Sequence, residues 1–419
     1  MHRLRVVVLL CLVSVVAGLA TGRAIFYQMV YLFVALVLLA LLWAWTGISW
    51  VHLKRRTRAR RAQVGRTLEE RFAVRNSSIF PKLWLEVHDG SNLPNHRASY
   101  VVSALSGRQE RAWTIRTICT ERGRYTLGPI TLISGDPLGL FQLRRSLKPT
   151  SSIVVYPSTV DIPFFPSPMG VLPGGDALRR RTHYITTNAA GVRDYVPGDS
   201  FNRIHWRSTA RRDRLVVKEF ELDPLSDVWI FLDMDRYVQA ELPAKMAERI
   251  SDLPFWKRPR QFMLPPSTEE YGVSAAASVA QYFLRRDRAL GLVSYGQRRE
   301  VIQADRGERQ LTKVLETLAV LRARGEVPLY EVVRAESQQL ARGTTVVMVT
   351  PSMDIEWAVA ARQMERAGLR MVMVIIDAST FGGEKGAEEL AAQLSATGTM
   401  TYLVRCGASL GQALSHRYG

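Results

Sequence analysis

The sequence predicts a multi-domain chain with a two-helix transmembrane hairpin, a small β-sandwich and a doubly wound α/β domain. Two long apolar runs near the N-terminus predict the hairpin, and short alternating runs separated by turns predict the sandwich. Continuous apolar runs that alternate with helical patterns predict the α/β domain. A chain of 419 residues is long enough for two or three domains.

The hairpin is predicted within residues 1–53. Its first apolar run extends from Leu4 to Ala20, and the second extends from Met29 to Val51. At about 1.5 Å per helical residue, the second run is long enough to cross a bilayer core. Near the end of that run lie tryptophans that are typical of a membrane interface, namely Trp43, Trp45 and Trp50. We therefore expect a lipid bilayer as one partner.

Basic residues flank the hairpin on both outer sides. Residues 1–61 contain nine Lys or Arg and no Asp or Glu, and residues 54–63 are interpreted as a basic juxtamembrane segment. The positive-inside rule predicts two spans with both termini in the cytoplasm. The alternative is that residues 1–20 are a cleaved signal peptide, with a charged start and a possible cleavage site at Ala17-Gly18-Leu19-Ala20.

The net charge of +18 does not by itself indicate a protein that binds nucleic acid. Half of the excess positive charge lies in residues 1–61, where membrane topology accounts for it, so no nucleic-acid partner is expected. Cys11, Cys119 and Cys406 have no CxxC spacing, which argues against a zinc site and against a disulfide framework. Buried, reduced thiols fit a body that lies in the cytoplasm.

Residues 64–160 are predicted to form the β-sandwich. Short alternating or β-branched runs, such as Leu83–Val87 and Ile153–Tyr156, are separated by turn residues. Two motifs, RGRYTLGP at residues 122–129 and DPLGLF at residues 136–141, are interpreted as turn and packing elements.

Residues 227–419 are predicted to form the α/β domain, with apolar strands that are buried on both faces of a parallel sheet. The Pro-rich segment 238–271 is predicted to be an extended insertion after the first strand. The predicted strands are 228–232, 290–295, 345–349, 371–376 and 400–404, and the predicted helices are 275–286, 308–322, 355–367 and 387–394.

Polar residues follow these strands at the sheet edge where doubly wound domains bind ligands. Carboxylates and hydroxyls are the ligands that a hard divalent cation such as Mg²⁺ prefers. The candidate metal ligands are Asp233, Asp235, Thr350, Ser352 and Asp354, and Asp377 ends a further strand.

Residues 161–226 are predicted to be a linker that contains a densely charged motif between Arg193 and Glu219. Seven Lys or Arg and four Asp or Glu surround a turn at residues 197–199 and a single tryptophan, Trp206. In a structural interpretation, Asp199 or Ser200 caps a short helix and Trp206 is buried. The arginines would then pair, across a domain junction, with Asp194, Asp213 and Glu219.

Two further interpretations of the charged motif remain open. Trp and Arg are enriched at binding hot spots, so the motif is also a candidate docking surface. An enzymatic interpretation would combine His205 with Asp199 and Ser208, but no GxSxG elbow accompanies them. Because the sequence also lacks Walker A, GxGxxG, HExxH and CxxC patterns, no catalytic residue is assigned.

The charged motif has a specific spacing, and Arg207 lies within it as a further docking candidate. Its defining residues are Arg193, Tyr195, Pro197, Gly198, Asp199, Arg203, Ile204, Trp206, Ala210, Arg211 and Glu219. With RGRYTLGP, DPLGLF and the order of parts, they resemble the bacterial domain of unknown function 58 family over nearly the whole chain. The resemblance implies a C-terminal domain similar to a von Willebrand factor A domain. It also implies an association with MoxR-type AAA+ ATPases, often alongside transglutaminase-like membrane proteins.

The sequence departs from the metal-binding pattern of von Willebrand A domains, which is Asp-x-Ser-x-Ser after the first strand. Asp233 is retained, but Asp235 and Tyr237 occupy the two serine positions, and Arg236 adds a positive charge between them. The resemblance therefore implies a degenerate metal site, and Mg²⁺ is the only cofactor considered.

The function expected from these features is that of a non-enzymatic adaptor or scaffold in the bacterial inner membrane. The hairpin would anchor the chain, and the α/β domain would be presented to a MoxR-type AAA+ ATPase. The alternatives are a metal-dependent ligand-binding protein and an unrecognised hydrolase.

Overall fold

The computed structural model describes residues 2–148, 150–165, 189–196, 204–220, 227–243 and 263–419. These residues divide into two compact units, one formed mainly by the chain up to Ser158 and the other mainly by the chain from Thr159 onward. The first unit contains two apolar helices and a region that is mostly β-structure. The second contains an α/β region with a mixed sheet.

The two apolar runs form helices α1 (His2–Thr21) and α2 (Ala24–Ile48), as predicted. Gly22 and Arg23 connect them, and Gly22 has a φ of 63°, which glycine adopts at little steric cost. Both helices are long and apolar enough to cross a membrane. Most of their large apolar side chains are exposed, as a lipid-facing helix requires.

The middle of the chain is mostly β-structure, as predicted. Its strands are β1 (Val51–Thr57), β2 (Arg61–Gln63), β3 (Thr67–Asn76), β4 (Lys82–Asp89), β5 (Tyr100–Leu105), β6 (Glu110–Ile118), β7 (Gly123–Leu127), β8 (Ile130–Gly135), β9 (Gln142–Leu147) and β10 (Ser151–Tyr156). They form sheets with the orders β1-β3-β6, β5-β4-β8-β9 and β2-β10-β7. Phe72, Leu85 and Val102 are fully buried in a core shared by the first two sheets.

Strand β1 begins earlier than the sequence indicates. It occupies residues that were predicted to be the end of the hairpin and the basic segment 54–63, and it pairs with β3 in antiparallel register. Only Ser49 and Trp50 lie between α2 and β1. Some of the basic residues after the second apolar run therefore lie in a β-strand and not in a separate juxtamembrane segment.

Arg55 is the basic side chain of β1 that points inward. It donates to both carboxylate oxygens of Glu70, over 3.0 and 2.7 Å, and to Asp89 over 3.1 Å. His96 Nε2 lies 3.2 Å from Glu70 and 3.1 Å from Asp89, and its side chain is fully buried. Burial alone would raise the pKa of Asp89, but hydrogen bonds from His96 and Ser91 and the charge of Arg55 lower this pKa below its ordinary value.

Lys82, the first residue of β4, provides a hydrogen-bond donor for the C-terminal end of α2. Its side chain is buried, and its ammonium group donates to the backbone carbonyl of Thr46 in the last turn of α2. The last carbonyls of a helix have no partner within the helix, and a cation is favoured there by the helix dipole. Burial lowers the pKa of Lys82, because the ammonium group loses the solvation that water would give its charge.

The described residues in and around the charged motif form β11 (Ala189–Asp194), helix α3 (Trp206–Arg212) and β12 (Val216–Phe220). Strands β11 and β12 are antiparallel, with Arg193 opposite Val217.

Residues 159–165, which overlap the start of the predicted linker, are also ordered, since Phe165 is fully buried and stacks on Tyr402 with 5.1 Å between ring centroids.

The α/β region contains the predicted alternation of strands and helices. Its elements are β13 (Val228–Leu232), α4 (Thr268–Leu284), β14 (Leu290–Tyr295), β15 (Arg299–Asp305), α5 (Gly307–Val320), α6 (Leu329–Ser337), β16 (Thr345–Thr350), α7 (Ile355–Arg366), β17 (Arg370–Ile376), a short 3₁₀ helix (Ala378–Phe381), α8 (Ala387–Ala396), β18 (Met400–Val404) and α9 (Leu410–Ala413). The sheet has the order β15-β14-β13-β16-β17-β18.

The sheet is mixed rather than fully parallel. Strand β15, which the sequence did not predict, pairs with β14 in antiparallel register at one edge, whereas the other neighbours are parallel. Helices cover both faces. Trp229 and Phe231 pack with Trp357 of α7 on one side, and Gly272 of α4 lies against Leu232 on the other.

Helix α4 begins at Thr268, seven residues before the predicted start at 275. The segment 268–271 was assigned to the extended insertion because of the prolines that precede it. Two acidic residues in the first turn, Glu269 and Glu270, are favoured there by the helix dipole. Helix α6 was also missing from the sequence prediction.

The buried ion pairs of Arg55 lead to a prediction that has a matched control. We expect Arg55→Met to lower the free energy of unfolding by about 3–5 kcal/mol, because it leaves Glu70 and Asp89 buried without their cation. Arg58→Met removes an exposed pair with Glu69, in which the Arg58 side chain is 83% exposed, and should cost about 0–1 kcal/mol. Denaturation of the purified protein in detergent, followed by circular dichroism, measures both. Equal losses in the two variants would contradict the prediction.

Candidate functional site

The strand order of the α/β region reverses between β13 and β16. From β13 the chain proceeds outward through β14 and β15, and it then returns to β16 and proceeds through β17 and β18 on the other side. Ligands of doubly wound domains bind at the carboxyl ends of the strands at such a switch point. Asp233 directly follows β13, Thr350 ends β16, and the backbone N–H of Asp233 donates to Val349.

Asp233 is a buried carboxyl group at this switch point. The hydroxyl of Thr350 donates to its Oδ2 over 2.6 Å, and the backbone N–H of Asp235 donates to its Oδ1 over 3.1 Å. Burial raises the pKa of Asp233 to about 6, and the nearby charge of Asp235 adds to this rise, while the two hydrogen bonds oppose it. The carboxyl group of Asp233 therefore keeps its proton to a higher pH than an exposed Asp does.

The loop after β13 is held by backbone and side-chain hydrogen bonds. Asp235 is also buried, and its carboxylate accepts from the backbone N–H of Tyr237 over 3.0 Å. The backbone of residues 234–236 pairs with Gly325, where a Cβ atom would lie 2.1 Å from the carbonyl oxygen of Tyr295. Only glycine fits at this contact, so the loop is fixed against the end of the neighbouring strand.

The loop after β16 is fixed in a similar way. Backbone N–H groups of Ser352 and Asp354 donate to the hydroxyls of Thr350 and Ser352, over 2.9 and 3.2 Å. The Asp354 carboxylate then accepts from the backbone N–H of Glu356, which caps helix α7. Much of the hydrogen-bonding capacity of these side chains is therefore already used inside the loop.

A cleft of about 270 Å³ opens at this edge of the sheet. Four of the predicted metal ligands line the cleft. The fifth, Thr350, donates a hydrogen bond to one of them, Asp233. Tyr330 and Glu384 also line the cleft, although no sequence motif pointed to them. The lining is Asp233, Asp235, Val238, Pro328, Leu329, Tyr330, Ser352, Met353, Asp354, Trp357 and Glu384.

The cleft brings acidic and hydroxyl groups together without a cluster of acidic metal ligands. Among the described residues, no three His, Cys, Asp or Glu side chains are close enough to hold a metal ion together. A cation here would need oxygens of Ser352 or Thr350 beside Asp233 and Asp235. The donor set therefore fits Mg²⁺ only in part.

The charged motif exposes its tryptophan. Trp206, the first residue of α3, is 67% exposed, which contradicts the buried position that the structural interpretation assumed. Arg207, Arg211 and Arg212 on the same helix are exposed as well. The last two lie in the final turn, where cations are favoured by the helix dipole. We call the exposed side chains of Trp206, Arg207, Arg211 and Arg212 the α3 surface.

The structure can also be compared with the helix cap and the ion pairs that the structural interpretation predicted. The residue before α3 is His205, and its side chain makes no capping hydrogen bond. Asp194 lies 3.0 Å from Arg214, but both side chains are more than half exposed and both residues lie beside the β11–β12 pair, so this is a local pair and not the predicted one across a domain junction. Tyr195 is ordered, and its backbone N–H donates to Leu215. Outside the described residues lie Pro197, Gly198, Asp199, Ser200 and Arg203, and the side chains of Arg193 and Glu219 are not described.

His205 and Ser208, which the enzymatic interpretation combined, are in contact. His205 Nδ1 and Ser208 Oγ are 2.7 Å apart, within one turn at the start of α3. The contact is local, between residues three apart in the chain, as in many helix starts. Asp199, the third residue of that hypothesis, lies outside the described residues.

Solved structures resemble this chain only weakly. A CARDB domain from Pyrococcus furiosus is 16% identical, and the match covers 25% of this chain and 91% of that domain, with a TM-score of 0.20. A β-glucosidase from Listeria innocua is 12% identical over 25% of this chain and 16% of the enzyme, with a TM-score of 0.18. Similarities at this level carry no argument about fold or function.

The sequence comparisons are more specific. The family model described as "Protein of unknown function DUF58" matches residues 191–240, which include the whole charged motif and the first strand of the α/β region. The uncharacterized protein YeaD of Bacillus subtilis (strain 168) is 24% identical over 215 residues, which are 51% of this chain and 47% of YeaD. The chain thus matches about half the length of this curated relative. Both matches support a relationship between this chain and the bacterial family of unknown function DUF58.

Proposed function

We propose that this protein is a non-enzymatic membrane adaptor that displays the α3 surface to an AAA+ ATPase of the MoxR type. ATP hydrolysis is then the chemistry of the partner, which remodels or activates a target. The exposure of Trp206 among arginines is the observation that carries this proposal.

An exposed tryptophan next to several arginines has the composition of a binding hot spot. Trp and Arg supply the largest losses in affinity when they are replaced by alanine at protein interfaces. The exposed cations of the α3 surface favour an acidic patch on the partner, since charge complementarity speeds association and selects the partner. An interior clamp between folded parts would be expected to bury Trp206 instead.

The anchor of the proposed adaptor is the α1–α2 hairpin. Arg3 and Arg5 precede the first apolar run, and basic residues follow the second, so the positive-inside rule favours cytoplasmic termini and two spans in the bacterial inner membrane. A transglutaminase-like membrane protein remains a candidate further partner, on the family resemblance alone.

The α/β region is proposed to be a von Willebrand A-like domain. Numbered within the region, its strands have the doubly wound order 3-2-1-4-5-6, with an antiparallel strand at one edge. The presence of Asp233 directly after the first strand supports the assignment, although the residues two and four positions later differ from the metal-binding pattern.

A second candidate function is the binding of a divalent cation and its ligand in the cleft. The observation that favours it is the buried Asp233, whose pKa is raised to about 6 and which lies beside Asp235 at the switch point. A bound cation would offset the burial of two carboxylates and would keep Asp233 ionised. The residues that would hold it are Asp233, Asp235, Thr350, Ser352 and Asp354.

The adaptor proposal predicts that Trp206→Ala releases the ATPase without unfolding the protein. Affinity purification of the full chain from native membranes should recover an AAA+ ATPase, and the variant should reduce recovery by about tenfold or more, as for a hot-spot residue. Val359→Ala, at another exposed apolar position that is 49% exposed, is the matched control and should leave recovery unchanged.

Two results would count against the adaptor proposal. If the unaltered protein recovers no AAA+ ATPase, the proposed partner is wrong. If the ATPase is recovered equally with Trp206→Ala, the partner docks elsewhere than on the α3 surface.

The second candidate predicts a pH-dependent stability that Asp233→Asn removes. Because the folded-state pKa is raised from 3.8 to about 6, the unfolded chain loses this proton first as the pH rises. The stability that protonated Asp233 contributes is complete below about pH 4 and is lost by about pH 6, which amounts to about 3 kcal/mol. Relative to Asp233→Asn, the unaltered protein should therefore lose stability between these pH values in thermal denaturation.

Millimolar Mg²⁺ distinguishes a metal site from a merely buried acid. If the cleft binds the cation, Mg²⁺ should raise the Tm of the unaltered protein above pH 6 and should leave the Tm of Asp233→Asn unchanged. Equal Tm values with and without Mg²⁺ in the unaltered protein would exclude the metal-dependent function.

A further inference from the structure

The loop between β3 and β4 displays two large apolar side chains. Ile79 is 69% exposed and Phe80 is 54% exposed, and they are adjacent in the chain. Exposed neighbouring apolar residues of this size often mark a surface that contacts a partner or a membrane.

The loop is held in a defined conformation. The fully buried side chain of Asn76 donates to the carbonyls of Phe80 and Ser106, over 2.8 and 3.1 Å, and accepts from the backbone N–H and the hydroxyl of Ser78, over 3.0 and 2.8 Å. On the neighbouring loop, a Cβ atom at Gly107 would lie 2.3 Å from the carbonyl oxygen of Ile79. Ile79 and Phe80 are therefore presented by a rigid scaffold rather than by a loose loop.

The loop lies at the end of the second apolar helix. The backbone N–H of Ser77 donates to the carbonyl of Trp50 over 2.9 Å, and Trp50 is only two residues beyond the end of α2 at Ile48. The ring of Trp50 packs edge-on against Trp45, with 5.2 Å between centroids. Tryptophans at the end of a span occupy the headgroup level of a bilayer, so a loop bonded to Trp50 lies at the same level.

A second contact brings the start of α1 to the same part of the first unit. Arg3 donates to the carbonyl of Leu138 in the turn between β8 and β9, over 3.0 Å, and Leu138 is 47% exposed. Basic residues next to exposed apolar ones suit the interface of a membrane with anionic lipids.

We propose that residues 77–81 form a membrane-surface anchor, in which Ile79 and Phe80 insert into the headgroup region of the bilayer crossed by α1 and α2. The proposal rests on the membrane location of the hairpin in the proposed function. The occupant of this surface is the lipid bilayer itself, because the loop is continuous with the end of a span. The β-rich unit is thereby held against the membrane at a second point.

The test places an environment-sensitive fluorophore on single cysteines of the full chain, after Cys11→Ala, Cys119→Ala and Cys406→Ser. The protein is reconstituted in vesicles of phosphatidylcholine and phosphatidylglycerol, and each label is exposed to iodide in water and to nitroxide-bearing headgroups. The label positions are Ile79→Cys, Phe80→Cys, Ile118→Cys and Leu39→Cys. Ile118 is the matched control, because it is also 54% exposed and pairs with Thr67 at the far end of β3, about 30 Å from Asn76 along the strand.

We expect labels at 79 and 80 to be quenched by the lipid nitroxide and to be about threefold less accessible to iodide than the label at 118. If labels at 79, 80 and 118 are equally accessible to iodide while the label at 39 is shielded, the loop anchor is wrong and the hairpin remains in the membrane. If the label at 39 is accessible too, the membrane hairpin itself is wrong.

A measurement on the unaltered chain covers the case in which the cysteine-free protein does not fold. A photoactivatable phospholipid in the same vesicles should cross-link to residues 77–81, as found by mass spectrometry of the digested protein. Cross-links confined to α1 and α2 would overturn the loop anchor.

Discussion

The connection of two residues between α2 and β1 is the constraint on which the first unit depends. Ser49 and Trp50 leave no room for a linker, so the end of an apolar helix and the start of a sheet must be stabilised together. Lys82 does this from β4 by donating to a carbonyl in the last turn of α2. The alternation of side chains along β1 then brings Arg55 into the interior, where Glu70 and Asp89 neutralise it.

A different constraint shapes the α/β region. Parallel strands end at one edge of their sheet, and the reversal of strand order leaves a gap between the loops that follow β13 and β16. Side chains and backbone groups of these loops form hydrogen bonds with one another. Asp233 is buried among them, and burial raises its pKa. The cleft is therefore acidic and preformed, which suits a cation or a polar ligand better than an apolar one.

The sequence predicted best what depends on local pattern. Strands β13, β14 and β18 have the predicted bounds, because a parallel strand buried on both faces is a continuous apolar run. Strand β1 was missed because Arg55 is compatible with an interior position only through partners that lie 15 and 34 residues away. For the site, the acids at the strand ends were predictable, but Tyr330 and Glu384 reach the cleft only through the tertiary fold. The exposure of Trp206 likewise depends on packing, which no spacing reveals.

The direct passage from α2 into β1 also has a mechanical consequence. A flexible tether would let a membrane protein keep its folded part still while its helices tilt with the thickness of the bilayer. Here the helix end, the carbonyl of Thr46 and the side chain of Lys82 form one rigid joint. In a bilayer, we therefore expect a tilt of α2 to turn the β1-β3-β6 sheet with it.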